Sequence, residues 1–259
     1  MYIKLSSHVH LPLSFCHLLM RATGLAATLL IAHAAHAQFT PQLACSAAGI
    51  GSVTLLADAP VMILSAQPAV TPAPASVPYC LIKVLVPSAI NIWVGLPDSW
   101  NGRWQSIGGG GYAGSVSAPT TAVNDGYAGA TTDTGHSSGG GSFGCVNNCV
   151  GTSPSNPGQP NISLQADFAY RSEHLMAYIG KQLVKWYYHR PVVASYWNGC
   201  STGGRQGLME AQRYPEDYDG IIAGAPANWM SRLSGWHMQV AFENLRTQER
   251  LLPASKYPA

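Results

Sequence analysis

Hydrophobic and polar positions change period several times along this chain, and each change marks an element. Apolar residues crowd two short runs, Leu81 to Val86 and Ile90 to Leu96. Turn signals at Pro97-Asp98 and Trp100-Asn101-Gly102 follow them, which predicts a pair of strands. Arg103 to Ile107 predicts a short buried strand feeding directly into Gly108 to Gly111. Tyr127 to Thr131 predicts another, ending in Asp133-Thr134-Gly135-His136. From Leu164 to His189 the period shifts to threes and fours. Phe168, Leu175, Ile179, Leu183 and Trp186 recur against polar Arg171, Lys181 and Lys185, the pattern of an amphipathic helix stopped by Pro191. Val192 to Trp197 reads as a strand, Gly204 to Tyr214 as a helix and Ile221 to Ala225 as the next strand. Strand–helix–strand alternation of this kind calls for parallel strands with helices on the faces, an α/β architecture. The proline-rich segment Gln67 to Pro78 reads as an extended connector, and 137–163, rich in Gly, Ser, Asn and Pro, as a long surface excursion.

The first 37 residues follow none of these periods. Met20-Arg21 gives a short basic start, Ala22 to Ala32 is apolar, and Ala35-His36-Ala37 makes a small-residue cleavage site before Gln38. Residues 1–37 are therefore expected to be a signal peptide, with Met20 as the true start and a secreted or periplasmic destination. The apolar core is too short for a membrane anchor. Lys4 and Arg21 lie in this leader, so 14 Lys+Arg against 12 Asp+Glu leave the rest of the chain in charge balance. A nucleic-acid partner would need a basic stripe that this balance does not offer. Setting Cys16 aside leaves Cys45, Cys80, Cys145, Cys149 and Cys200, an odd set for an oxidising compartment. Cys145 and Cys149 are placed to clip the long excursion locally; no further His or Cys nearby makes them a metal site. Cys200 is the expected orphan, its partner missing. Asn161-Ile162-Ser163 matches a glycosylation sequon.

The chemistry gathers at Gly199-Cys200-Ser201-Thr202-Gly203, between the strand ending at Trp197 and the helix starting at Gly204. That context is the nucleophile elbow, in which a sharp turn pushes a serine hydroxyl out above a sheet. Ser201 is the candidate nucleophile. The Thr202 amide, at a helix N-terminus, is one candidate oxyanion donor, and the amide of Gly110 or Gly111 in the glycine loop is the second. The base is harder to place. His136, His174 and His189 precede Ser201, against the usual order of nucleophile, acid and histidine; His237 follows it, but Asp219 precedes the strand that the acid should follow. The expectation is that base and acid lie outside these residues.

The run Trp197-Asn198-Gly199-Cys200-Ser201-Thr202-Gly203-Gly204-Arg205-Gln206-Gly207 resembles the nucleophile segment of the tannase and feruloyl esterase family, which includes the mono(2-hydroxyethyl) terephthalate hydrolases. Tyr214 to Ile221, Ala223 to Ala227, the Gly108–Gly111 loop and Thr132 to His136 extend the resemblance over most of 45–240. It implies an α/β-hydrolase fold with Ser201 as nucleophile and Thr202 with the glycine loop as oxyanion hole. It also implies a disulfide between Cys45 and Cys80, and one joining Cys200 to a cysteine beside the catalytic histidine. In family members a lid, often with a structural calcium site, follows the elbow region and precedes the Asp and the Cys-His pair. The chain is thus expected to comprise the leader (1–37), the N-terminal part of an incomplete α/β-hydrolase domain (38–227) and the start of a lid (228–259), to which Trp229, Trp236 and Phe242 belong. No cofactor and no metal ligand set is expected within these residues. The implied substrate is a small aromatic acid ester, with neither nucleic acid nor membrane as partner. Two alternatives stand beside this reading: a non-catalytic remnant, and a self-sufficient small esterase using His237.

Overall fold

The computed structural model describes residues 38–51, 53–87, 89–137, 152–153, 156–250 and 254–256. In chain order these form α1 (Ala47–Gly51), β1 (Met62–Val70), β2 (Pro78–Val86), β3 (Ile90–Pro97), β4 (Arg103–Ile107), α2 (Thr120–Asn124), β5 (Ala128–Thr132), β6 (Thr152–Ser153), β7 (Asn156–Pro160), α3 (Ile162–Ala166), α4 (Ser172–Tyr188), β8 (Ala194–Cys200), α5 (Thr202–Arg213), β9 (Gly220–Gly224) and α6 (Met230–Leu245). Seven strands make one sheet in the order β1-β2-β3-β5-β4-β8-β9. The first half is antiparallel, β1 to β2 to β3 to β5, and the second half, β5, β4, β8 and β9, is parallel. β6 and β7 form a separate small ribbon.

Burial explains the strand sequences. Ile82, Val84, Val86, Ile90, Ile92, Val94 and Leu96 of β2 and β3 are fully buried, as near-continuous apolar runs in the middle of a covered sheet should be. β1 differs. It reaches Val70 and pairs Pro68 with Cys80, so the first third of the expected proline-rich connector is instead an edge strand. Only an edge accommodates Pro68, which brings no amide to the ladder. The Cys45–Cys80 disulfide implied by the family resemblance is present, with Cα atoms 5.6 Å apart, and ties the N-terminal segment to β2.

Helix α4 lies across the sheet with Leu175, Met176, Ile179, Leu183 and Val184 buried. At Gly180 its backbone rests on the Trp104 indole of β4, where an added Cβ would stand 2.1 Å from a ring carbon. The long helical pattern is not one helix. Asp167–Arg171 forms a π-helical turn between α3 and α4. There Ser172 Oγ donates to the Asp167 carbonyl at 2.6 Å, while Arg171 binds both Asp167 and Asp58. Aromatic side chains fill the space around β4 and β8. Trp100 stacks on Tyr188 at 4.5 Å, and Ser106 Oγ accepts from Trp104 Nε1 and from the Tyr218 hydroxyl. α6 buries no residue; Trp229, Trp236 and Phe242 are exposed. Cys145 and Cys149 lie outside the described residues, as does the expected leader.

The strand order decides where a site can form. From β4 the chain moves to β5 on one side, whereas β8, on the other side of β4, leads away to β9. The carboxyl ends of β4 and β8 therefore flank the point where strand order reverses, the place where open α/β sheets bind ligands.

Candidate active site

The glycine loop leaves the end of β4 and the elbow leaves the end of β8, adjacent parallel strands whose last pair is Ile107 with Asn198. β8 continues to Cys200 and α5 begins at Thr202, so the turn is tighter than the sequence pattern suggests: Ser201 alone connects strand to helix. Its backbone stands at φ 60°, ψ −119°, a conformation that costs a non-glycine residue of order 1–3 kcal/mol and survives only where surroundings enforce it. Here they do. The Ser201 amide donates to the Gly224 carbonyl at 3.0 Å, and the Ser201 carbonyl accepts from the Ala227 and Arg205 amides, each at 3.0 Å. The hydroxyl-bearing side chain is exposed.

Strand, loop and helix approach one another so closely that no side chain fits between them. A Cβ at Gly199 would lie 2.5 Å from the Gly203 carbonyl oxygen, and one at Gly108 would lie 2.6 Å from the Gly203 Cα. Three bonds then fasten the glycine loop to the elbow. The Gly108 amide donates to the Asn198 carbonyl at 2.9 Å, the Gly109 amide donates to Gln206 Oε1 at 3.0 Å, and Thr202 Oγ1 donates to the Gly111 carbonyl. With the amides of Gly108 and Gly109 engaged, Gly110 is the first residue of the loop whose amide has no protein acceptor among the described residues. The Gly110 carbonyl turns back to accept from Ala113 at 2.8 Å, and Gly111 adopts φ 56°.

Behind the loop, Gln206 Nε2 donates to Glu173 Oε1, and Glu173 Oε2 lies 3.0 Å from Ser172 Oγ. Glu173 is fully buried in α4, and burial pushes its carboxyl up to about 7, partly opposed by the Arg205 charge. Burial also lowers the Arg205 guanidinium, which donates to the Phe168 and Ala169 carbonyls and covers the Phe168 ring. Neither Glu173 nor Gln206 stands out in the sequence as a site residue. The available signal was positional: a glutamate on the apolar stripe of α4, one helical step from Met176.

The histidines are dispersed. His174 Nδ1 is 2.6 Å from Asp217 Oδ2, and its ring stacks on Tyr214 at 3.9 Å. Tyr214 follows α5 at the end opposite Ser201, roughly 20 Å away at 1.5 Å per residue, so this His–Asp pair serves the helix packing. His136 is buried with Nδ1 3.2 Å from Thr134 Oγ1, and His189 is the exposed left-handed cap of α4. His237 is exposed on α6, and Asp219 accepts from the Ser195 amide at 2.7 Å rather than from any histidine. Among the described residues, Ser201 Oγ hydrogen-bonds to no histidine. Cys200 is a free, exposed thiol. No group of three or more His, Cys, Asp or Glu among the described residues could hold a metal ion. None of the described helices is long and apolar enough to cross a membrane.

A mixed sheet of this order, with a strained serine between strand and helix and a glycine loop beside it, defines an α/β-hydrolase. The family model described as tannase and feruloyl esterase matches residues 81–259, and the chain belongs to that family. A probable feruloyl esterase of Arthroderma benhamiae is 44% identical over 142 residues, covering 53% of this chain and 25% of that protein. Feruloyl esterase B of Aspergillus niger is 37% identical over 168 residues, covering 62% and 30%. Feruloyl esterase B from Aspergillus oryzae superposes with a TM-score of 0.56 at 30% identity, over 66% of this chain and 36% of that one. Tannin acyl hydrolase from Aspergillus niger, at 22% identity and a TM-score of 0.56, shares the fold over 72% of this chain and 39% of its own. The chain thus spans about a quarter to a third of the length of the curated relatives it matches.

Proposed function

We propose that this chain carries the nucleophile and oxyanion hole of an exported serine ester hydrolase that cleaves aromatic acid esters through an acyl-enzyme. The observation that carries the proposal is the backbone of Ser201, held at φ 60°, ψ −119° directly before a helix and beside an immobilised glycine loop. Ser201 Oγ attacks the ester carbonyl carbon. The carbonyl oxygen becomes an oxyanion facing the Gly110 and Thr202 amides, which are the donors left available by the bonding of the loop. Donors fixed in advance need no reorganisation as the charge develops, and each is worth roughly 10²–10³ in rate. Collapse of the tetrahedral species expels the alcohol, and water then releases the aromatic acid. The proton of Ser201 needs a base, and a histidine oriented by an aspartate fills that role in the proposed enzyme. The aromatic ester substrate is suggested by the name of the relatives, feruloyl esterase. Export follows from the signal-like residues 1–37.

That no histidine among the described residues hydrogen-bonds to Ser201 favours one competing reading, a non-catalytic chain. A fluorophosphonate probe separates the two, because an unassisted serine is a poor nucleophile. Labelling that disappears in Ser201→Ala supports the hydrolase. An unlabelled, folded protein that carries the base and acid as well refutes it.

A further inference from the structure

The bonds behind the glycine loop form a continuous path from one helix to the loop through a second helix. Glu173, on α4, accepts from Gln206 Nε2, on α5, and Gln206 Oε1 accepts from the Gly109 amide at 3.0 Å. All the side-chain groups in this path are buried. A glutamine amide can flip, and only one orientation presents an acceptor to Gly109. Glu173 selects that orientation, since its Oε1 requires a donor from Gln206. We propose that Glu173 and Gln206 are positioning residues of the oxyanion hole: Glu173 locks the Gln206 amide, which holds Gly109 so that the next amide, that of Gly110, faces the nucleophile.

The same geometry fixes the form of Glu173 that does this. Ser172 Oγ lies 2.6 Å from the Asp167 carbonyl and 3.0 Å from Glu173 Oε2, and its single proton goes to the carbonyl, the closer acceptor. Oε2 must then bring the proton for the second contact, so the neutral carboxylic acid completes the path. Burial supports this by pushing Glu173 up to about 7, although Arg205 on α5 opposes it. Glutamine at 173 would reproduce the neutral acid, donating to Ser172 and accepting from Gln206. Leucine would remove both functions at similar size.

The inference rests on the ester-hydrolase reading, and the experiment is chosen to separate the two. Amide exchange at Gly109 and fluorophosphonate labelling of Ser201 would be measured on the wild-type protein with its base and acid present and on Gln206→Leu, Glu173→Leu and Glu173→Gln in the same protein. The two leucine variants are expected to raise Gly109 exchange about tenfold, as loss of one buried hydrogen bond would. They are also expected to slow the covalent step of labelling by about 10²-fold, as a small misplacement of a catalytic group does, with binding of the probe unchanged. Glu173→Gln is expected to match the wild type in both measurements, since it keeps both hydrogen bonds. Gly109 exchange unchanged in Gln206→Leu, or Glu173→Gln behaving like Glu173→Leu, overturns the proposal. So does faster exchange with no effect on labelling. A wild-type protein that carries the base and acid and still does not label counts against the hydrolase reading instead, and the exchange comparison alone then decides whether the path holds Gly109.

Discussion

Glu210 offers the most quantitative test of the interior. Its carboxyl is fully buried on α5, neither oxygen makes a hydrogen bond among the described residues, and burial, with Asp217 and Glu173 as like-charged neighbours, pushes it up to about 9. In the unfolded chain the group returns to the ordinary value of 4.5. Between those values the folded state holds one more proton than the unfolded state, so stability is greatest on the acid side and falls as pH rises. The slope is about 1.4 kcal/mol per pH unit. Glu173, raised from 4.5 to about 7, adds a second proton of the same sign in the lower part of the window. Burial also raises Asp133 and Asp167, which add to the fall with the same sign, whereas Asp58 and Asp219, lowered by Arg171 and by the Ser195 amide, titrate in stronger acid. Wild-type stability is therefore expected to drop steeply from about pH 5 to 7 and at roughly half that slope above 7. Glu210→Gln removes one of the two protons. Denaturant melts followed by tryptophan fluorescence at pH 5, 6, 7 and 8 should show a profile shallower by about 1.4 kcal/mol per unit. Parallel profiles for variant and wild type would refute the argument, because they would mean that Glu210 ionises as readily in the fold as out of it.

Four further outcomes follow. Ser201→Ala should abolish ester turnover and probe labelling and leave the denaturant melt within about 1 kcal/mol of wild type, since the side chain is exposed. Gly199→Ala, whose Cβ would meet the Gly203 carbonyl at 2.5 Å, should cost at least about 1–3 kcal/mol and eliminate labelling together, as melts and probe on the same sample would show. Cys45→Ser opens a loop with a sequence separation of 35, for which the chain-entropy argument gives a loss of about 4 kcal/mol, measurable as a lowered denaturant midpoint. His174→Ala should leave labelling of Ser201 unchanged while lowering stability, because Asp217 loses its 2.6 Å partner; loss of labelling with a normal melt would reinstate His174 as a candidate base.

Much of this molecule is legible in its sequence where a single local cause dominates. The strand Arg103–Ile107 falls where the pattern puts it, and Gly-x-Ser-x-Gly marks the turn at Ser201 because so sharp a passage from strand to helix needs those residue types at fixed spacing. β1 was hidden because Pro68 signals a connector, and only its place at the sheet edge, a tertiary fact, makes a strand possible there. The π turn at Asp167–Arg171 was hidden for a similar reason: nothing local breaks the helix, while Arg171 reaching to Asp58 across 113 positions does bear on it. The pattern started α5 at Gly204, and the structure starts it at Thr202, because β8 carries pairing through Cys200. Glu173 and Gln206, 33 positions apart, meet only when α4 and α5 pack; Gln206 alone reads as an ordinary polar helix residue, and Glu173 shows only as a carboxylate on an apolar stripe.

Gly180 sets the separation between α4 and the sheet by letting the helix backbone lie on Trp104. Glu173 stands seven residues earlier on the same helix, about 10 Å along its axis. Leu175, Met176, Ile179, Leu183 and Val184 fasten the same helix to the core on either side of that bare point, so any side chain at 180 would act as a wedge beneath it. The fit of an indole against a glycine in the hydrophobic core thereby becomes a setting for hydrogen-bond lengths beside Ser201. Packing at Trp104 and the geometry beside Ser201 then share one mechanical degree of freedom.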